Sequence, residues 1–212
     1  MFLNRQDAGK KLAQKLLTYK SKKNTLLLGI PRGGVVVAAE VSKELNLPLD
    51  VIIIKKLGFP GQEELALGAV GEEGEFINPE VAIDVDREYI KQVIAEKKKE
   101  VFFRVELLRG KNKPLSVRGK TVLLIDDGIA TGATVLMALE ILKKRGAKKI
   151  VVAVPVAPKE IIILLKKKAD EVVCLEIPEY FGAIGRFYHE FEQASDKECK
   201  EILGKCKKSE TT

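Results

Sequence analysis

The stretch "VLLIDDGIATGAT", Val122 to Thr134, decides how this 212-residue chain folds. Val122 to Ile125 form a short apolar run of the kind buried in a sheet. Two adjacent carboxylates, Asp126 and Asp127, end the run. Gly128, Ala130, Thr131, Gly132, Ala133 and Thr134 follow, and "TVLMALEILKKRG" then reads as an amphipathic helix stopped by Gly146. A Gly/Thr loop that opens a helix offers unpaired amides and the positive end of the helix dipole, which suits an anion. Two carboxylates beside an anion site are unfavourable unless the ligand also offers hydroxyls or a metal. A ribose with phosphate on its 5′ carbon satisfies both halves, since the carboxylates meet the sugar and the amides meet the phosphate. The same carboxylates suit hydrated Mg²⁺, which binds few of them and keeps several waters. The loop has neither a Lys after GxxxxG nor a GxGxxG pattern, so it is not one of the common nucleotide loops.

Working outward, four more apolar runs read as strands: "TLLLGI", "LDVIIIKK", "KIVVAVPV" and "EVVCLEI". Helical segments separate them, which implies an α/β fold with a five-stranded parallel sheet covered on both faces. A strand order of 2-1-3-4-5 puts the "PRGG" turn after strand one next to the quoted loop after strand three, at the point where ligands bind such sheets. Arg32 can pair bidentately with phosphate oxygens, and Gly33 permits close backbone approach. Lys55 and Lys56, at the expected end of strand two, add positive charge to the same edge. Three basic groups opposite a sugar-phosphate loop suggest a second anionic group on the ligand.

The remaining segments read as one domain with a small hood. The core covers about 24–56 and 118–177, and the hood about 1–23, 57–117 and 178–212. Asn4 caps a helix to about Lys20 with Ala8, Leu12 and Leu16 on one face. "LGFPGQEE" reads as a loop, and short strands flank the Gly71–Gly74 turn. A long helix runs from about Asp86 to Arg109, closed by Gly110. The tail from Pro178 is aromatic and ends in a helix opened by the capping box Ser195-x-x-Glu198.

Composition excludes several classes. There are three cysteines and one histidine, and no CxxC, so neither a disulfide framework nor a zinc site is indicated. No apolar run reaches membrane-spanning length and no signal peptide is evident, so a soluble, cytoplasmic protein without membrane association is expected. The Lys/Glu-heavy, amide-poor balance resembles that of hyperthermophile proteins. Net charge is +7. The lysine runs at 97–99, 166–168 and 205–208 read as solvated helix faces, so no nucleic-acid partner is expected.

"VLLIDDGIATGAT" resembles the phosphoribosyl pyrophosphate motif of type I phosphoribosyltransferases. "NRQDAGKKLAQKL", "GIPRGGVVVAAEV", "KKLGFPGQEELALGAVGE", "VVVAVPVAP" and "DEVVCLEIPEYFGAIGRFY" extend the resemblance to a bacterial and archaeal subgroup of that superfamily. The resemblance implies that Asp126 and Asp127 contact the ribose hydroxyls, directly or through Mg²⁺. It implies that Gly128 to Thr134 hold the 5′-phosphate. Arg32 and Gly33 would contact pyrophosphate from a loop that often carries a cis peptide. Lys55 and Lys56 would reach it from strand two, with Lys55 standing where the subgroup prefers Arg. Leu57 to Glu64 would form a mobile lid. The implied reaction is displacement of pyrophosphate from the ribose by a nucleobase-like acceptor, with Mg²⁺, in a chain that admits a homodimer. A non-catalytic sensor with the same site is the competing expectation.

Overall fold

The computed structural model describes residues 1–83, 85–110 and 113–208. The linker positions 111–112 and the last four residues lie outside them. Helix α1 (Arg5–Lys15) is capped by Asn4, whose side chain accepts from the Asp7 N–H, and a 3₁₀ turn at Leu17–Tyr19 completes it. Strand β1 (Thr25–Gly29) leads through "PRGG" into α2 (Gly33–Leu45), and β2 (Leu49–Val51) follows. The other core strands are β6 (Thr121–Ile125), β7 (Lys149–Val156) and β8 (Glu171–Glu176). Helices α4 (Ala133–Lys144) and α5 (Lys159–Lys166) connect them, and α6 (Asp196–Lys208) ends the described chain.

The five core strands pair in parallel in the order β2-β1-β6-β7-β8, the expected arrangement. Successive side chains leave opposite faces of a strand, so each strand feeds two cores. Leu27, Leu123 and Val151 pack with α1, α2 and α6, whereas Leu26, Leu28, Leu124 and Val152 pack with α4 and α5. The run "VIII" suits this double burial, with Ile53 in the first core and Ile52 in the second.

That run conceals a break. The chain leaves the parallel sheet after Val51, and residues 54–59 belong to a separate antiparallel sheet of β3 (Ile54–Phe59), β4 (Gln62–Gly71) and β5 (Gly74–Ile77). Lys55 and Lys56 therefore do not end strand two of the core; they begin the hood. Nor is 57–64 a loop: it is most of a hairpin whose turn lies at Pro60-Gly61. Gly61 takes φ +74°, a left-handed conformation that favours glycine. The expected hairpin around Gly71–Gly74 is the β4–β5 connection.

Helix α3 (Arg87–Arg109), capped by Asp86 and ended at Gly110, lies against β3, β4 and α6. At its end a buried polar cluster joins hood to core. Arg109 Nε donates to Asp50 Oδ1 of β2 at 2.8 Å, Nη1 to Glu72 Oε2 at 2.5 Å and Nη2 to the Val51 carbonyl at 3.1 Å. Asp50 also accepts from the Leu115 N–H. Every charge in the cluster has a partner, as burial demands.

Candidate active site

Gly29 and Ile125 are register partners on neighbouring strands. The "PRGG" and "DDGIATGAT" loops therefore leave the sheet at one level, side by side. The Ile30 N–H bonds the Ile125 carbonyl at 2.9 Å and extends the pairing to the mouth of the site. The peptide bond between Pro31 and Arg32 is cis, as the resemblance implies. Arg32 takes the N-cap position of α2, and its carbonyl accepts from the Cys199 thiol of α6.

The two loops touch at their glycines. A Cβ on Gly33 would lie 1.8 Å from Asp127 Oδ2, and one on Gly34 would lie 2.8 Å from the Asp126 Cα and the Ile125 carbonyl. Only a residue without a side chain lets the loops approach this closely.

Asp126 Oδ1 accepts from the Asp127 N–H at 2.9 Å. Burial, and then the neighbouring charge of Asp127, push the Asp126 carboxyl well above the ordinary carboxylate range. Asp127 Oδ2 accepts from Arg5 Nε at 2.7 Å, with both side chains largely enclosed. These bonds use one oxygen of each carboxylate. The pair fits magnesium, since that ion takes one or two carboxylates and completes its shell with water and substrate phosphate.

Beyond the carboxylates, Ile129 anchors the loop in the core, and its N–H bonds the Val156 carbonyl at 2.9 Å. Ala130, Thr131 and Thr134 are exposed. Gly132 has φ +76° and caps α4. The first bond of that helix is Leu136 N–H to the Gly132 carbonyl, so the amides of Gly132, Ala133 and Thr134 precede the helical ladder. These amides lie where the sequence reading expects the 5′-phosphate.

The structure separates the two lysines. Lys55 pairs with Glu100 of α3 at 2.9 Å. Lys56, one residue on, shares the opposite face with Ile54, which packs against the cluster of Ala69 with Met137 and Ile141 of α4. Lys56 thus lies on the α4 side of the hood and Lys55 on the side of α3.

Three side chains that the sequence did not single out, Arg5, Tyr188 and Ile184, border the candidate site. Arg5 reaches Asp127 across 122 residues of sequence, donates to the Glu192 carbonyl at 2.6 Å and stacks its guanidinium 3.9 Å from the Phe191 ring centre. Tyr188 donates its hydroxyl to the Asp127 carbonyl at 2.6 Å. Burial and the nearby Asp127 charge raise its pKa, which keeps that donor protonated. Ile184 covers Gly128, where a Cβ would come within 2.6 Å of it. The first residues pair with the tail, Phe2 N–H to the Phe187 carbonyl and Glu190 N–H to the Leu3 carbonyl. The tail aromatics Phe187, Tyr188 and Phe191 pack with Phe2 against the body, whereas Tyr180 is exposed. One local signal pointed to Arg5: a cation in the first turn of a helix opposes the helix dipole, so its position needs another cause.

A parallel sheet whose switch point carries a carboxylate pair, a Gly/Thr loop that opens a helix and a second glycine loop defines a phosphoribosyl-transfer type of fold. The phosphoribosyl transferase domain model matches residues 3–192, and the chain belongs to that family. It is 42% identical over 206 residues to a Mycobacterium tuberculosis protein provisionally named a phosphoribosyl transferase; the match covers 96% of this chain and 46% of that protein. The chain thus spans about half the length of that curated relative. A solved protein of Thermus thermophilus superposes with a TM-score of 0.87 at 39% identity, covering 95% of this chain and 97% of its own. A shorter match, 45% identical over 60 residues, joins 27% of this chain to 22% of a ribose-phosphate pyrophosphokinase of Pyrococcus furiosus.

Proposed function

We propose that this chain transfers the phosphoribosyl group of phosphoribosyl pyrophosphate to a ring nitrogen of a base, releasing pyrophosphate. The observation that carries the reading is the edge-on meeting of the two loops, in which Gly33 touches the carboxylate of Asp127. A ligand seated there has its 5′-phosphate at Gly128–Thr134, its ribose at Asp126 and Asp127, and its pyrophosphate toward Arg32 and Gly33. The local match to a ribose-phosphate pyrophosphokinase supports a ribose phosphate as the ligand.

In the reaction the acceptor nitrogen bonds to C1 of the ribose, the C1–O bond to pyrophosphate breaks, and pyrophosphate leaves with the electron pair. The nitrogen then gives up its proton. Positive charge develops on the sugar at the transition state, and in this reading Asp126 and Asp127 stabilise it through the ribose hydroxyls. Arg32 and Lys56 balance the charge of the departing pyrophosphate. Magnesium bound by Asp126 and Asp127 with the substrate would supply further neutralisation of that charge. Ile184 borders the ribose loop from the tail, so an acceptor approaching from that side meets the segment after β8. The β3–β4 hairpin is the candidate lid.

A panel of nucleobases mixed with phosphoribosyl pyrophosphate and Mg²⁺, read by pyrophosphate release, tests this. Release with at least one base, lost on omitting Mg²⁺ and in Asp127→Asn, is the expected result. Tight binding of phosphoribosyl pyrophosphate without release for any base would replace catalysis with the sensor reading.

A further inference from the structure

The formal charge of +7 is not spread over the molecule. Four segments at the amino edge of the core sheet, residues 20–24, 118–120, 143–149 and 166–171, together hold thirteen Lys and Arg against two acids, Asp170 and Glu171. That excess is larger than the net charge of the whole chain, so the remainder is net acidic. Sequence reading places these cations in separate runs. Topology joins them, because the segments enter the adjacent strands β1, β6 and β7 and β8 in turn. They are also bonded side by side: Thr121 N–H to the Asn24 carbonyl at 2.9 Å, Lys148 N–H to the Lys120 carbonyl at 2.8 Å and Gly119 N–H to the Gly146 carbonyl at 2.8 Å. A recess of about 540 Å³ opens between them, lined by Lys23, Lys148 and Lys149 together with Asn24, Thr121 and one acid, Asp170.

Helix dipoles account for part of the cluster, since Lys143, Lys144 and Lys166 end α4 and α5. They do not account for Lys22, Lys23, Arg118, Lys120 or Lys148, which lie in strand-entry loops. Local ion pairing neutralises little of it. Among the described residues, Lys143, Arg145 and Lys149 are the members with a carboxylate partner, namely Glu140, Glu73 and Glu171. Uncompensated like charge held this close destabilises a fold, and it is better tolerated where a polyanion binds.

We propose that this edge binds the phosphodiester backbone of double-helical nucleic acid without regard to sequence. Three inter-strand spacings from β1 to β8 span about 14 Å, and a duplex presents about eight phosphate charges over that length. That matches the density of the cations better than one small anion does. Lysine predominates, and its ammonium is a flexible point charge rather than a planar fork for base edges. The four segments contain no aromatic residue, so they lack the stacking platforms on which single strands depend. The candidate active site lies at the opposite, carboxyl edge, about 16 Å away along a five-residue strand such as β1. Both sites can therefore be filled together.

Fluorescence anisotropy of the full chain with labelled 20-base-pair RNA and DNA duplexes of mixed sequence, at 50 mM salt, tests this. The expected result is binding of at least one duplex, largely independent of sequence and unaffected by saturating phosphoribosyl pyrophosphate. With five phosphates engaged, affinity should fall about 500-fold between 50 and 200 mM salt. The triple variant Lys22→Glu, Lys23→Glu, Lys148→Glu should lose at least about tenfold at fixed salt, while its melting temperature and binding of a nucleoside monophosphate stay unchanged. Preference for one duplex type identifies the source of the backbone. No binding of either duplex at about 100 µM protein overturns the proposal. So does equal binding by the triple variant, displacement by phosphoribosyl pyrophosphate, or binding to anionic phosphatidylglycerol vesicles in place of duplexes.

Discussion

Replacing Arg5 with methionine removes one guanidinium that makes three contacts at once: to Asp127 Oδ2, to the Glu192 carbonyl and to the face of Phe191. Methionine keeps much of the apolar stem, so the change isolates the charge and its donors. Breaking a fully buried pair by deleting one partner costs about 3–5 kcal/mol. Here the side chains are 11% and 13% exposed, and water can reach Asp127 from the open site, so we take about 2 kcal/mol as the expected loss. For a chain of this length that lowers the melting temperature by about 4–8 °C. The effect on the ligand is more informative. Asp127 is held in place by Arg5 on one side and by contact with Gly33 on the other. If that orientation presents the carboxylate to the ribose, Arg5→Met should weaken binding of phosphoribosyl pyrophosphate by about 30-fold, the factor equivalent to 2 kcal/mol. Arg5→Lys should recover part of this, because an ammonium can reach Asp127 but cannot also span to Glu192. Calorimetric titration with Mg²⁺ present, alongside a thermal melt, measures both effects. If affinity holds or rises in Arg5→Met while the melt shows the expected loss, Arg5 only staples the two ends of the fold and does not position Asp127.

The glycine contacts predict a contrast. Gly33→Ala pushes against the Asp127 carboxylate, so it should fold yet bind phosphoribosyl pyrophosphate at least about tenfold more weakly, roughly 1.4 kcal/mol; Gly34→Ala meets backbone of Ile125 and Asp126 and should chiefly lower stability in urea. Equal behaviour of the two variants would count against the described packing of the loops. Arg109→Met leaves the buried Asp50 and the half-buried Glu72 without their cation and should cost about 3–5 kcal/mol by denaturant unfolding; a loss under 1 kcal/mol would mean that water enters the cluster. Burial lifts the thiols of Cys174 and Cys199 to about 11, so at pH 8 only about a thousandth of each is thiolate. Both should react slowly with a disulfide reagent in the folded protein and faster as pH rises toward 11. Rapid titration of both at pH 8 would contradict this.

The core was readable because each strand there is a continuous apolar run bounded by a loop of distinct chemistry, and both core faces demand the same residues. The hood was less readable for the same reason. "LDVIIIKK" carries no polar residue between Val51 and Ile54 to mark where the chain changes sheets. In "LGFPGQEE", Gly58, Pro60 and Gly61 signal a loop, whereas the structure has a two-residue turn. Its preceding strand shifts register between Leu57 and Gly58 and again between Gly58 and Phe59, which erases the alternation that would betray a strand. At the site, Asp126, Asp127, Gly33 and the 128–134 loop were legible because local chemistry and sheet topology converge on them. Arg5 and Tyr188 act through partners 122 and 61 residues away, and no pattern within a short window records such a pairing.

The register pair Gly29–Ile125 carries a consequence for the order in which the molecule is made. The two halves of the site lie on neighbouring strands but nearly a hundred residues apart in the chain, with α2, β2, the whole hood and α3 between them. During synthesis from the amino end, the "PRGG" turn emerges long before its counterpart. A nascent chain that has reached only residue 120 has β1 with an unpaired edge, and contacts of such large sequence separation form late and slowly. Ligand-binding competence should therefore arise together with the closing of the central sheet, so a ribose-phosphate ligand would stabilise the finished fold without assisting any earlier stage of its assembly.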